Sequence, residues 1–247
     1  DEDGDRGGRI VQYWEKPEHP ESEWASMTIL CFKPQVLYNA LEENQRGDSY
    51  HFGKDIIPSL LKQNYKVYGY KFSGYWGYTR TISEYWQSNM DLLGPNPPID
   101  LEKWVFRTNL EHRNIRDNEP TLMGESAAVQ NSLVYNGCKI GGTVKNSILF
   151  PGVHVKQGAL VENSVLFFNN IVGKNCRLNK VVSDVNNTFN SGAVLGPLQS
   201  QQDTKVTVIG WHNQVPGGTV IGEGATVYPK IDVNNWPDQV QPGEVLR

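Results

Sequence analysis

The feature that most constrains the fold of this chain is an apolar residue at every sixth position near its carboxyl end. The positions are Ile209, Val215, Ile221, Val227 and Val233. A helix repeats every 3.6 residues and a strand alternates every second residue, so neither element produces this interval by itself. A coil with three flat faces of about six residues does, because each face then places one aliphatic side chain in a narrow core. The interval therefore predicts a parallel β-helix, and it argues against a β-sandwich.

A longer repeat precedes this region. Four related segments begin at Asn131, Asn146, Asn163 and Asn179, at intervals of 15, 17 and 16 residues. Several glycines fall among the repeats, where tight corners can use a positive φ; they are Gly137, Gly152, Gly210, Gly217 and Gly222. We therefore expect one β-helix domain over residues 121–247.

The first part of the chain has an α/β pattern instead. The pattern predicts, in order, a buried strand at 27–32, a helix at 34–41, a short helix at 55–61 broken by Pro58, and a strand at 66–72. A further helix is expected from about Ile82 to Leu93, because Thr81 and Glu84 have the spacing of a capping box. Proline and glycine then interrupt the chain. We expect an α/β domain over residues 1–94 and a linker over residues 95–120.

The amino-terminal residues resemble the turn of a hairpin. Asp1 to Gly8 is polar and glycine-rich, and Arg9 to Trp14 has the pattern of a second strand. A second strand implies a first one, so we expect this chain to be the C-terminal part of a longer protein.

Composition narrows the functional classes. The chain has 23 Lys and Arg against 27 Asp and Glu, and no basic block, so nucleic acid is not an expected partner. No apolar run of about 18 residues occurs, so we expect a soluble protein without a membrane partner. The cysteines Cys31, Cys138 and Cys176 lack metal-ligand spacing, and are expected to be reduced, small buried groups in a cytosolic protein.

Several short strings, in this order and followed by the repeats, resemble the ADP-glucose pyrophosphorylases, the glucose-1-phosphate adenylyltransferases of glycogen and starch synthesis. The strings are Tyr13-Trp-Glu-Lys-Pro17, Ala25-Ser-Met27, Phe52-Gly-Lys-Asp-Ile-Ile-Pro58, Gly74-Tyr-Trp76, Thr81-Ile82, Tyr85-Trp86, Asn89-Met-Asp-Leu-Leu93 and Asn136-Gly-Cys-Lys-Ile140. The resemblance covers nearly the whole chain.

The resemblance implies an α/β nucleotidyltransferase portion followed by a left-handed parallel β-helix of hexapeptide repeats, in cytoplasmic or plastid enzymes that are usually tetramers. In that family an oxygen of glucose 1-phosphate attacks the α-phosphate of ATP, and Mg²⁺ and basic groups stabilise the charge. The family's Gly-rich triphosphate loop has no match in this chain. We therefore expect the 247 residues alone to bind ATP poorly and to turn nothing over, and we assign no catalytic residue.

The resemblance also implies a sugar-phosphate site. Glu15 corresponds to a residue that accepts sugar hydroxyls, Lys16 to one that binds the phosphate, and Ser26 to one that contacts the sugar. Phe52 and Trp76 correspond to residues that line the pocket. The alternatives are an exposed Glu-Lys turn, a strand-edge serine without a role, and ordinary aromatic packing.

Four positions depart from the family pattern. Leu30 stands where the family has a tyrosine, His51 where it has a sugar-binding aspartate, and Tyr78 where it has a metal-binding aspartate. Arg80 replaces a glycine. A neutral tyrosine is a poor Mg²⁺ ligand, so we assign no metal ligand in this chain. Arg80 either supplies positive charge in place of the metal or is a tolerated surface residue. The departures favour a divergent, weakly active or regulatory subunit that assembles with an active partner.

Two other hypotheses come from different classes. The β-helix could be a hexapeptide acyltransferase with His154 as general base, although alternation alone places His154 on an outer face. It could also be a non-catalytic assembly platform, with Trp211, Tyr228 and Trp236 at subunit contacts or simply packed at the end of the helix.

Overall fold

The computed structural model describes residues 6–104, 118–199 and 203–247. The chain divides into two compact units, one ending at Gly74 and the other beginning at Tyr75. The boundary expected at residue 94 stays a prediction. None of the helices in the described ranges is both long and apolar enough to cross a bilayer.

Over its described residues, 6–74, the first unit holds three helical segments and one short two-stranded sheet. Strands β1 (Gly7–Arg9) and β2 (Tyr68–Tyr70) pair antiparallel. Helix α1 spans Pro34–Asn44, and a π-helical turn at Phe52–Ile56 continues directly into α2 at Ile57–Lys62. These segments pack around a small core of Ala40, Ile56 and Leu60.

Three expectations for this unit are wrong. Met27 to Phe32 forms no strand, and Ile29 and Cys31 are exposed, since no described segment offers this run the backbone partner that a strand needs. Pro58 does not break a helix. It occupies the first turn of α2, where its missing N–H costs nothing. Ile10 to Trp14 is not a strand either, because β1 ends at Arg9.

The second unit begins with helix α3 (Ile82–Met90) and continues into the repeat region. Thr81 accepts a hydrogen bond from the Glu84 amide, and the Glu84 carboxylate accepts one from the Thr81 amide. The capping box is thereby confirmed. The strands of the repeat region, β3 to β22 in chain order, are Leu122–Met123, Ala128–Gln130, Leu133–Val134, Lys139–Ile140, Thr143–Lys145, Ile148–Leu149, His154–Val155, Leu160–Glu162, Val165–Leu166, Ile171–Val172, Arg177–Asn179, Val181–Ser183, Thr188–Phe189, Val194–Leu195, Thr207–Ile209, Gln214–Val215, Val220–Ile221, Thr226–Val227, Gln239–Val240 and Val245–Leu246. A 3₁₀ turn, Val233–Asn235, lies between β20 and β21.

These strands form the predicted parallel β-helix. They stack into three parallel sheets, two of seven strands and one of six, and each strand pairs with its equivalent in the next coil. In most strands one apolar side chain points inward, as Val144, Val161 and Leu178 do in successive coils of one sheet. The interval of six follows directly from this arrangement.

The corners of the coils use asparagine as well as glycine where left-handed backbone is needed. Asn131, Asn146 and Asn163 have φ values of 45°, 44° and 49°. The fourth residue in this series of corners is Lys180, not Asn179. Asn179 pairs with Glu162, which lies one position before the corner at Asn163. Asparagine suits such corners because its short polar side chain tolerates this conformation.

Among the glycines expected to need positive φ, only some do. Gly137 and Gly152 have φ values of 74° and 77°. Gly210 and Gly222 are required for space instead, since a Cβ on either would come within 2.6 Å of a proline nitrogen in the next coil. Gly217 likewise has no left-handed backbone and lies close to the Ser191 carbonyl.

The prediction for Val233, the last position of the six-residue series, is also wrong: its side chain does not point into the core. Val233 is 59% exposed in the 3₁₀ turn, and Ile231 enters the core in its place. The chain leaves the coil geometry between β20 and β21, so the interval of six no longer identifies an inward-pointing residue.

Cys138 and Cys176 are buried free thiols, as expected.

A second apolar cluster covers the outer face of one sheet. Outward side chains of β8, β11 and β14, namely Ile148, Val165 and Val182, pack against α3 and the residues that follow it. Leu92 and Ile99 are buried in the same cluster. Helix α3 and the β-helix are therefore parts of one compact unit.

Candidate functional site

The first unit contains an open cleft of about 590 Å³ beside the family-like strings. Its lining comes from two segments that are distant in sequence, residues 11–17 and residues 53–62. The cleft places Glu15 beside Gly53: a Cβ built on Gly53 would lie 2.0 Å from Glu15 Oε2. A side chain at position 53 would displace the Glu15 carboxylate, and the structure brings these two strings together.

Glu15 and Lys16 differ in their surroundings. The Glu15 side chain is 29% exposed, whereas that of Lys16 is 74% exposed, with its Nζ 4.0 Å from Glu15 Oε1. Lys16 has left-handed backbone, with φ of 49°. An exposed ion pair of this length contributes little to stability, so Lys16 is available to an anion.

Sequence reasoning missed two cations of this cleft. Lys54 and Lys62 both line it, together with Glu15. Lys54 lies within the Phe52-Gly-Lys-Asp string, and that string could have identified it from sequence as a residue of the cleft. Lys62 lies at the end of α2, and no sequence pattern distinguishes it from an ordinary surface lysine.

Ser26 makes a local contact. Its hydroxyl accepts a hydrogen bond from the Thr28 amide at 3.1 Å, and both residues are exposed. Thr28 has φ of 61°, a left-handed conformation that is rare for a β-branched residue. Leu30, two residues later, is 36% exposed and does not line the cleft. The sugar contact assigned to Ser26 stays a prediction.

Phe52 and His51 lie at the start of the π-helical turn. The Phe52 ring packs on Phe32 with 5.9 Å between centroids, and its side chain remains 39% exposed. The His51 amide donates to Asp55 Oδ2 at 2.8 Å. This hydrogen bond, together with a side-chain bond from Ser49, lowers the pKa of Asp55 and keeps the carboxylate ionised at the turn.

The remaining candidates belong to the second unit and form a small aromatic group. The rings of Trp76 and Tyr78 meet edge to face at 5.7 Å, and the Arg80 guanidinium lies 5.3 Å from the Tyr78 ring centroid. Trp76 is half exposed and Tyr78 is 39% exposed. The structure thus places two of the four altered positions, Tyr78 and Arg80, side by side.

The donor set around Tyr78 does not fit Mg²⁺. Tyr78 offers a phenol rather than a carboxylate, and the neighbouring Arg80 adds a positive charge that repels a cation. Within the described residues, no three His, Cys, Asp or Glu side chains are grouped as metal ligands.

The candidates on the β-helix are dispersed. His154 lies on an outer face between Lys139 and Ile171 of the adjacent strands. Partial burial lowers the pKa of His154, and the nearby positive charges of Lys139 and Lys156 lower it further. A general-base role for His154 stays a prediction.

The three aromatic residues proposed for assembly also differ. Trp236 packs against the main core, and its indole N–H is buried without a hydrogen-bond partner among the described atoms. Trp211 and Tyr228 are 37% and 44% exposed, each beside a cation, Lys230 and Arg247 respectively. Their assembly role is likewise untested.

Comparison with known proteins accounts for both parts of the chain. Residues 2–94 match the family model described as nucleotidyl transferase, and residues 120–209 match the one described as GlmU-like, C-terminal hexapeptide. A glucose-1-phosphate adenylyltransferase of Desulfitobacterium hafniense is 38% identical over 230 residues, which are 90% of this chain and 56% of the relative.

Proteins with the same name from Acetivibrio thermocellus and Bacillus cereus are 34% and 35% identical. They are matched over 93% and 78% of this chain, and over 56% and 51% of their own lengths. The chain thus spans a little over half the length of the curated relatives it matches. Its repeats, its transferase-like strings and these matches agree: over the part that it spans, the chain is similar to glucose-1-phosphate adenylyltransferases.

Proposed function

We propose that this chain provides the sugar-phosphate side and the β-helix of a glucose-1-phosphate adenylyltransferase-like protein. The complete protein would join ATP and glucose 1-phosphate to give ADP-glucose and pyrophosphate. The observation that carries the proposal is the cleft in which the Glu15 carboxylate meets Gly53, because it unites two of the family-like strings in space. Relatives named for this activity match 90% and 93% of the chain.

Each residue that the resemblance assigns to the sugar-phosphate site has a chemical task in this proposal. Glu15 accepts hydrogen bonds from sugar hydroxyls, since an ionised carboxylate is an acceptor only. Lys16 binds the phosphate as a compact point charge. Ser26 contacts the sugar, and Phe52 and Trp76 offer apolar surface to the sugar ring. ATP binds through a part of the relatives that this chain does not span.

We further propose that the protein is a divergent subunit, weakly active or regulatory. Support comes from Tyr78 and Arg80, which put a phenol and a cation where a metal ligand is expected, and from His51 in place of a carboxylate. Mg²⁺ stabilises phosphate charge in the family, but these residues do not fit it and no step is assigned to it here. Such a subunit would act in a homo- or hetero-tetramer with an active paralogue, in the cytoplasm or, in a plant, in the plastid.

Pyrophosphate release tests the proposal. The 247-residue chain is assayed with ATP, Mg²⁺ and glucose 1-phosphate, and so is a version extended to a complete transferase domain, alone and mixed with an active paralogue. We expect no release by the chain and little by the extended version alone, with altered activity in the mixture. Release by the chain itself would refute its predicted inactivity, and full activity of the extended version alone would refute a regulatory role.

Direct titration tests the sugar-phosphate site separately. We expect glucose 1-phosphate to bind the chain in calorimetry, and Glu15→Gln to weaken it by about tenfold, because one charged hydrogen-bond acceptor is lost. Glu18→Gln, at an exposed carboxylate outside the cleft lining, is the matched control. Equal affinity in both variants would remove Glu15 from the site.

A further inference from the structure

The segment Tyr75–Arg80, which carries Trp76, is attached to helix α3 by three contacts. The Tyr75 hydroxyl donates to Asp91 Oδ2 at 2.7 Å, just beyond the end of the helix. The Ser88 hydroxyl donates to the Tyr78 carbonyl at 3.2 Å. A Cβ on Gly77 would lie 2.9 Å from Ser88 Oγ and 3.0 Å from the Tyr75 hydroxyl, so the segment lies directly against α3 at this point.

Helix α3 is in turn attached to the β-helix by its aromatic residues. The Trp86 indole N–H donates to the Asn163 carbonyl at 2.6 Å, across 77 residues of sequence. Lys180 Nζ lies 4.6 Å from the centroid of the same ring. Asn163 and Lys180, the two partners of Trp86, occupy equivalent corners of successive coils, and both have left-handed backbone. Trp86 therefore locates α3 against one particular corner of the stack.

A column of stacked rings fixes the helix from a second direction. Tyr135, Phe150 and Phe167 stack along successive coils, with 5.6 and 4.7 Å between neighbouring centroids. Tyr85 of α3 extends the column by stacking on Phe167 at 6.3 Å. Burial raises the pKa of Tyr85, and the carboxylate of Asp184 raises it further, so the phenol stays neutral in this contact.

We propose that Trp86 is a positioning residue for Trp76. It acts through α3: the β-helix holds Trp86, the helix carries Ser88 and ends just before Asp91, and these two residues hold the segment that presents Trp76. The β-helix thus serves as the rigid frame for the segment Tyr75–Arg80. This role rests on the proposed function of Trp76, whereas the mechanical part of it concerns only the second unit.

Limited trypsin digestion tests the mechanical part, because Arg80 lies in the segment and cleavage there requires local opening. Trp86→Phe keeps an aromatic ring but removes the N–H donor. We expect cleavage after Arg80, identified by mass spectrometry, to accelerate about tenfold in this variant, since the partly buried Asn163 carbonyl loses its donor. Phe167→Leu loosens the same helix from the β-helix side and should act in the same direction.

The matched control is Trp211→Phe. Trp211 also lies beside a lysine on the β-helix, with Lys230 Nζ at 4.5 Å from its ring, but it is not part of the cluster that packs on α3. Cleavage after Arg80 should be unchanged in this control. Unchanged cleavage in both Trp86→Phe and Phe167→Leu would overturn the proposal.

Binding of glucose 1-phosphate tests the link to the site. We expect Trp86→Phe to weaken binding severalfold and Trp211→Phe to leave it unchanged. Faster cleavage with unaltered affinity would overturn the positioning role. If the unaltered chain binds no glucose 1-phosphate, the proposed function fails instead, and the cleavage comparison still decides whether the β-helix holds the segment.

Discussion

At the scale of single residues, Thr28 shows where the backbone is strained. Its φ of 61° is left-handed, and a β-branched side chain is crowded in that region. Thr28 is exposed, so no buried contact offsets the strain. Glycine adopts this conformation without a steric penalty.

Thr28→Gly is therefore expected to stabilise the first unit by about 0.5 to 1 kcal/mol, because relief of the strain exceeds the added freedom of the unfolded chain. Urea unfolding measures the change. Thr28→Ala keeps a Cβ and should change the free energy of unfolding by less than half as much. Equal stabilisation by both variants would show that the side chain, not the backbone, causes the effect.

Tyr78 and Arg80 make a second residue-scale prediction. In a version with a complete transferase domain, Tyr78→Asp combined with Arg80→Gly should raise the Mg²⁺-dependent rate at least about tenfold, because a hard carboxylate replaces a phenol and a repelling charge is removed. The matched variant with Tyr78→Asn supplies the same shape without the charge. Equal rates for both would contradict a lost ligand as the cause of weak activity.

His154 gives a pH prediction. Its pKa in the folded protein is lowered from 6.5 by burial and by Lys139 and Lys156. Below about pH 6.5 the His154 imidazole therefore binds a proton more readily in the unfolded chain than in the folded one. The free energy of unfolding falls as the pH drops through the lowered pKa of the folded state.

Urea unfolding followed at the β-helix, between pH 7 and pH 5, should show this loss. His154→Gln removes the titrating group and should flatten the profile, and Lys139→Gln should reduce the slope. An unchanged profile in His154→Gln would assign the acid sensitivity to other groups. NMR titration of the imidazole measures the direction of the shift directly.

At the scale of elements, two ladders of asparagine support the stack in different ways. The exposed ladder joins Asn131, Asn146 and Asn163 through side-chain hydrogen bonds. The buried ladder runs through Asn170, Asn187 and Asn213, each of which is inaccessible to solvent. Asn187 donates to Ser183 and to the Asp184 carbonyl, and accepts from the Asn213 amide at 2.7 Å.

Asn187→Ala should therefore cost about 3 kcal/mol or more, since it leaves several buried groups without partners. Asn146→Ala, on the exposed ladder, should cost only about 1 kcal/mol, because water replaces the lost bonds. Guanidinium unfolding of both variants gives the comparison. Similar costs would mean that the buried ladder is not a major source of stability.

The elements also show what sequence could predict. The six-residue interval predicted the sheets and their inward side chains, because a repeating coil imposes one environment on every equivalent residue. Asn179 and Val233 were misplaced, because sequence similarity does not reveal a one-residue offset or the point where the chain leaves the coil. The strand expected at Met27–Phe32 does not form, because an apolar pattern does not reveal whether another segment is in place to pair with its backbone. The meeting of Glu15 with Gly53 was implied only by family resemblance.

At the scale of the whole molecule, the two compact units divide the chain before α3 rather than after it. The apolar cluster that includes Trp86, Leu92 and Ile148 belongs entirely to the second unit. A chain cut near residue 94 would lose α3 and expose the outer face of β8, β11 and β14.

Residues 75–247 are therefore expected to unfold at a clearly higher temperature than residues 95–247, because the longer piece keeps Ile148 and Val165 covered. Calorimetry measures both midpoints, and the intact chain should retain the transition of the longer piece. Equal midpoints would favour a boundary near residue 94 and would leave α3 outside the cooperative unit.

The uneven spacing of the coils has a consequence for how such a protein can change over generations. Equivalent bonded positions lie 15 residues apart at Ser132 and Ser147, 17 apart at Asn170 and Asn187, and 26 apart at Asn187 and Asn213. The longest interval contains an excursion after β16, yet β14 still pairs with β17 in register. Corners thus accept additional chain without disturbing the ladder, so new recognition segments can be inserted there while the scaffold is inherited intact.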